Sequence, residues 1–170
     1  MTVKPHRQFP EATRPGLVVL SHLGWDFVWQ RPQHLMTHAA ATRPVLFVEC
    51  PQFRPGITPH MQSVESGGVL VCRPQIPEGH DAATSQRMTA EVLAAHVRML
   101  RLDVYDLWVY TTMELPVAAL LEPRLVVYEC MDELSQFRFA PPELAAREAE
   151  LLDRADVVFT GGYRLYEAKA

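Results

Sequence analysis

Three stretches of the chain bring together side chains able to bind or move charge, and each adjoins a short apolar run. The first is GWDFVWQRPQHLM, residues 24–36, in which Trp25, Asp26, Trp29, Arg31 and His34 crowd around Pro32. Proline is favoured in the first turn of a helix, which puts Arg31 at a helix N-terminus. A cation there opposes the helix dipole at a cost of about 0.3–1 kcal/mol. A nearby anion reverses that sign, whether it is Asp26 or the carboxylate or phosphate of a ligand. Trp25, Asp26, Trp29, Arg31 and His34 are therefore candidate substrate contacts. A plainer arrangement fits the same residues: an Arg31–Asp26 structural pair, two packing tryptophans, and a structural His34 one turn into the helix.

The second stretch is VVYECMDELSQFRFAPPE, residues 126–143, with Glu129, Asp132 and Glu133 gathered where a strand would end. Paired carboxylates in such a place can take a proton from a hydroxyl nucleophile. Asp132 and Glu133 are candidate catalytic groups, and Glu129 a candidate substrate contact. Asp132 could equally cap a short turn through ELSQF. The third stretch is FTGGYRLYEAK, residues 159–169. Gly161 and Gly162 allow a tight strand-to-helix turn and the close approach of a cofactor or substrate to bare backbone amides; two glycines also make an ordinary turn. The chain contains neither G-x-x-x-x-G-K-[ST] nor G-x-G-x-x-G, which argues against a P-loop and against flavin or nicotinamide binding.

Cys50, Cys72 and Cys130 are odd in number and far apart, with no basic neighbour to activate a thiolate. They suit small apolar positions in a reducing compartment rather than a disulfide framework or a metal site. The 170 residues are enough for one domain with a full core. A hydrophobic content of 48%, a charged content of 21% and a net charge of −4 describe an ordinary globular protein without the basic footprint of a nucleic-acid binder. The apolar runs are strand-sized, too short to span a membrane. The first residues, MTVKPHRQFPEATRPG, lack the apolar segment of a secretory signal, and 1–15 reads as a loose arm ahead of a domain at 16–170.

These side chains need a scaffold, and the apolar runs supply one. Strands are expected at 17–21, 45–50, 69–73, 106–111, 124–130 and 156–160. Each is continuously apolar, as befits strands buried on both faces of a parallel sheet. Helices are expected from Pro32 to before Pro44, at 85–102 with Thr84 or Ser85 as cap, at 114–121, from Pro142 to Arg154, and from Tyr163 onward. Met88, Val92, Leu93, Val97, Met99 and Leu100 would form the inner stripe of the second. Leu144, Ala145, Leu151 and Leu152 would do so in the fourth. The Pro- and Gly-rich segment 51–68 reads as irregular. Alternation of this kind predicts a Rossmann-like open α/β fold, with a mainly parallel sheet of about six strands and helices on both faces. In such sheets ligands bind beyond the carboxyl ends of the strands. The segments 22–31, 51–56, 111–114, 131–140 and 161–164 fall there.

The segments WDFVWQRPQHLM, VVYECMDELSQFRFAPPELAAREAELLDRADVVFTGG and YRLYEAK together resemble the N-terminal half of bacterial GT-B-fold glycosyltransferases of the family 1 and family 4 kind. The likeness runs from about Gly16 to the chain end. It implies an acceptor-side domain whose partner, a C-terminal donor domain, is absent after Ala170. It implies no cofactor in this chain, a UDP- or GDP-sugar donor in the full-length enzyme, a sugar or glycan acceptor, and no nucleic-acid partner. The uncovered cleft face could mediate self-association. The expected location is cytoplasmic, or peripheral at the inner membrane. Glu129 departs from an aspartate in the family pattern, which puts a base or metal role there in question. Two other functions are carried beside this one: a stand-alone binding or interaction domain, and a sugar-nucleotide-pathway mutase or epimerase. The missing dinucleotide fingerprint weighs against the last.

Overall fold

The computed structural model describes residues 14–134, 138 and 140–169. Most of the expected arm, residues 1–13, and part of the 131–140 loop lie outside the described residues. The elements run β1 (Gly16–Leu20), α1 (Arg31–Ala40), β2 (Val45–Val48), β3 (Gln52–Arg54), β4 (His60–Ser66), β5 (Val69–Pro77), α2 (Ala82–Met99), β6 (Tyr105–Val109), a 3₁₀ turn (Thr112–Glu114) leading into α3 (Leu115–Ala118), β7 (Val126–Cys130), α4 (Leu144–Arg154), β8 (Val157–Thr160) and α5 (Tyr163–Lys169). The strands form one eight-stranded sheet in the order β3-β5-β2-β1-β6-β7-β8, with β4 pairing on β5. Every pairing is parallel except β4–β5.

All six expected strands are present, and the segment expected to be irregular contributes two more. β4 is mostly exposed and polar, so it lacks the apolar run that marks the central strands. Its hairpin to β5 turns through Gly67 and Gly68, at φ of 58° and 83°. Two consecutive residues at positive φ are what a tight two-residue hairpin requires, and glycine adopts them without strain. The prolines of this segment stand between strands rather than inside β3 or β4, so they do not break the ladder.

Both faces of the sheet are buried at its centre because β1 and β2 are apolar at every position. One face carries Val18, Leu20, Leu46, Leu107 and Val109 against Leu93 and Val97 of α2, Val117 of α3 and Leu151 of α4. The other carries Leu17, Val19, Phe47 and Val71 against Met36 of α1 and the indole of Trp25. α2 begins three residues earlier than expected. Asp81, not Thr84 or Ser85, accepts the cap hydrogen bond, from the Thr84 amide at 2.7 Å. Ser85, Thr89 and His96 join Leu93 and Val97 on its buried face, while Met99 is exposed. α4 begins at Leu144 rather than Pro142 and buries Leu144, Glu148 and Leu151. Glu148 takes an inward position expected of an apolar residue. The Tyr128 hydroxyl donates to it at 2.8 Å, and Lys169 Nζ pairs with it at 2.7 Å. At the β8 edge the cover thins: Val157, Val158 and Phe159 are all exposed.

Candidate functional site

Seven of the eight strands point the same way, so the loops leaving β1, β2, β6, β7 and β8 gather along one edge of the sheet. The first loop is held at its base by a network that no local pattern reveals. Trp25 is buried, at 3% exposure. Its amide donates to Glu49 Oε1 at 2.7 Å and its indole Nε1 to Ser66 Oγ at 3.0 Å. Arg73 reaches Glu49 at 2.5 Å and Asp26 at 2.8 Å. Gln33 Nε2 donates to the Trp25 carbonyl at 3.0 Å. Trp25 therefore plugs the sheet and anchors the loop, and Asp26 serves Arg73. The expected Arg31–Asp26 pair does not form.

Arg31 stands where expected, at the first position of α1 beside Pro32, but its anion comes from across the sheet. Its Nε donates to Oε1 of Glu129, which is completely buried in β7, and Trp108 Nε1 donates to the other oxygen at 2.9 Å. With both oxygens engaged, Glu129 is a buried strut that ties the first loop to β7. The Tyr110 hydroxyl lies alongside; burial first, then the Glu129 charge, raises its phenol well above the usual range. The tip of the loop stays open. Trp29 is 54% exposed, with Phe27 and Val28 exposed beside it. Trp29 donates from Nε1 to His34 Nδ1 at 3.2 Å, and the two rings meet edge to face at 5.6 Å.

Asp132 follows β7 directly and is exposed. His22, just beyond β1 on the same edge, is likewise exposed as a residue, but its ring is partly shielded: that desolvation lowers the imidazole pKa, and the Asp132 charge acts in the opposite sense. The sequence reading passed over His22. Its one local signal was its place two residues beyond the first apolar run, at the strand end where ligands bind. Glu133 pairs with Lys169 at 2.8 Å and so ties the β7 loop to α5. Gly161 donates its amide to the Cys130 carbonyl at 2.8 Å. A Cβ on Gly161 would lie 2.5 Å from the Met131 carbonyl oxygen, whereas Gly162 faces open space. The first glycine is demanded by backbone packing, and the second leaves its amide accessible.

The surroundings of all three cysteines raise their thiol pKa values and so disfavour the thiolate. Cys72 and Cys130 are buried; Cys50, expected to be, is exposed. Although Cys50 is exposed as a residue, its sulfur packs toward the Ser21 carbonyl, and that shielding, with Glu114 and Glu49 nearby, pushes the thiol up to about 11; burial and Glu49 push Cys72 to about 12. Among the described residues no cluster of three or more His, Cys, Asp or Glu could hold a metal ion. Nor, among them, is any helix long and apolar enough to cross a membrane. A cavity of about 480 Å³ opens on the same edge, between the first turns of α2 and the 3₁₀ turn.

A parallel sheet in this order, with helices on both faces and its loops gathered at the carboxyl ends, is a Rossmann-like α/β fold. Solved structures share it. Sucrose-phosphate synthase from Thermosynechococcus elongatus is 13% identical, with a TM-score of 0.56 over 85% of this chain and 42% of its own. The α,α-trehalose-phosphate synthase (UDP-forming) from Burkholderia xenovorans, solved in complex with glucose-6-phosphate, is 12% identical, with a TM-score of 0.54 over 84% and 39%. The trehalose-6-phosphate protein from E. coli bound with UDP-2-fluoro glucose is 14% identical, with a TM-score of 0.53 over 85% and 39%. The chain thus spans about two-fifths of the length of the structures it matches. No family model and no curated protein matches it.

Proposed function

We propose that this chain is the acceptor-side domain of a nucleotide-sugar-dependent glycosyltransferase, with His22 as the general base and Asp132 as the carboxylate that supports it. The observation that carries the reading is that His22 and Asp132 follow β1 and β7 at the same carboxyl edge of the sheet, within electrostatic reach of each other, with the Trp29 loop open on that edge. In the reaction, the acceptor hydroxyl gives its proton to the neutral imidazole as its oxygen bonds to the anomeric carbon. The bond from that carbon to the donor's phosphate oxygen breaks, and the nucleoside diphosphate leaves with the electron pair. Asp132 offsets the charge of the imidazolium. A carboxylate behind an imidazole is a common way to hold and stabilise a catalytic base. Trp29 and Phe27 offer flat apolar surface to a sugar ring or to the donor half.

Two measurements test this. In the 170-residue chain, NMR titration of His22 should give a pKa below the ordinary value of about 6.5, falling further in Asp132→Asn. In the complete two-domain enzyme, His22→Gln should lower turnover by roughly 10²–10⁴, the usual worth of general acid–base catalysis. Unchanged turnover would remove the assignment.

A further inference from the structure

The cavity beside the His22–Asp132 edge has a lining of a different character from the Trp29 loop. Its walls are apolar where Phe53, Met113 and Val117 face it, and polar where Glu78, Gln86 and Glu114 do. Two carboxylates and one imidazole, that of His80, line it, and no lysine or arginine does. Arg147, outside the lining, acts on Glu114 electrostatically but spends a guanidinium N–H on the Met113 carbonyl, at 3.3 Å. Amides at a helix start attract anions, but at the start of α2 Asp81 already supplies that charge by accepting from the Thr84 amide. Burial raises the Glu114 carboxyl above the usual carboxylate range, against the pull of Arg147. The volume lies in the ordinary range for a small-molecule site, roughly 300–1,000 Å³.

We infer that this cavity is the acceptor subsite and that it takes an uncharged, hydroxyl-bearing ligand with one apolar face, to the exclusion of sugar phosphates. The inference rests on the acceptor-side reading above and narrows its substrate class. Apolar walls suit a ring face or an apolar aglycone, while Gln86, Glu78 and Glu114 meet hydroxyl groups. A phosphate would stand against the carboxylates of Glu78 and Glu114 with no lysine or arginine to receive it, and like charges brought together at a binding surface are strongly disfavoured.

The test uses the 170-residue chain with 13C-labelled methionine methyls and 15N-labelled indoles. Met113 reports on the cavity, and Trp29 on the neighbouring loop. Phenyl β-D-glucoside should shift the Met113 methyl in a saturable way, and glucose-6-phosphate should need a concentration about tenfold higher or more to do the same. Gln86→Trp, on the half-buried side of α2, should block the shift without disturbing the fold, as checked by circular dichroism. Glu114→Gln should keep the neutral probe and narrow the gap to the phosphate. Equal response to both probes would overturn the ligand class. A Met113 methyl unmoved by phenyl glucoside would overturn the cavity's role; movement confined to Trp29 and His22 would then leave the acceptor-side reading standing. A saturable Met113 response, in an enzyme that transfers no sugar, would support the cavity and sink the broader reading.

Discussion

At the residue scale, the pH behaviour of the proposed base follows from two opposed influences on His22. Desolvation lowers its pKa more than Asp132 raises it, so the neutral, proton-accepting form persists to lower pH than for a free imidazole. The acid limb of kcat/KM should therefore lie below about 6.5. Asp132→Asn removes the upward pull, so the limb should move further down while the rate falls; a limb that stays put would make Asp132 a bystander. Arg31 and Glu129 predict a stability effect. Arg31→Ala leaves a completely buried carboxylate with the Trp108 indole alone. It should cost about 1–3 kcal/mol in denaturant unfolding, partly recovered by adding Glu129→Gln. The sequence showed which side chains were too polar or too large for their surroundings, and it placed Trp29 and Asp132 correctly at strand ends. It could not show partners. Arg31 meets Glu129 across 98 positions and Asp26 meets Arg73 across 47, separations that only the sheet order closes. The nearer Arg31–Asp26 pairing was for that reason the natural one to expect.

At the element scale, the two glycines after β8 should part company. Gly161→Ala forces a methyl against the Met131 carbonyl oxygen, backbone that cannot rotate away. A loss of about 1–3 kcal/mol is expected, as for other overpacked sites. Gly162→Ala meets no atom within 4 Å and should stay within about 0.5 kcal/mol of the parent, as surface changes usually do. Thermal melts of both variants decide whether the turn is built for packing or for ligand approach. The same physics explains what the sequence revealed of the elements. Runs such as LVVL and VLFV announce themselves because both faces of a central strand are buried. β4 stayed hidden because an edge strand needs no apolar side, and proline density outweighed the Gly67–Gly68 hairpin signal. The start of α2 slipped because Asp, Thr and Ser at 81, 84 and 85 are all good caps. Only the position of the first turn against β5 chooses among them.

At the scale of the whole molecule, the β8 edge carries three consecutive exposed apolar residues. Phe159 stacks on Trp108 at 5.5 Å yet remains 43% exposed, with Val157 and Val158 beside it. An apolar edge strand with unpaired backbone invites pairing with another strand, and a second copy of the chain is the expected occupant when nothing else covers it. Light scattering should show mass rising with concentration, and Phe159→Lys should return the chain to a monomer. Titration calorimetry with UDP- and GDP-sugars should show no appreciable binding to these 170 residues, because the proposed acceptor side holds only one half of the cleft; tight binding would overturn that division. The strand order has a further consequence, in time rather than space. β1 at the centre of the sheet pairs with β2 on one side and with β6 on the other, Gly16 against Tyr105. On a ribosome adding about 5–20 residues per second, β1 can zip to β2, and β2 to β5, while the other edge of β1 waits several seconds for β6 to emerge. The newborn chain thus presents Leu17–Leu20 as a raw edge at the heart of the future domain, and a chaperone is best placed to act during that interval.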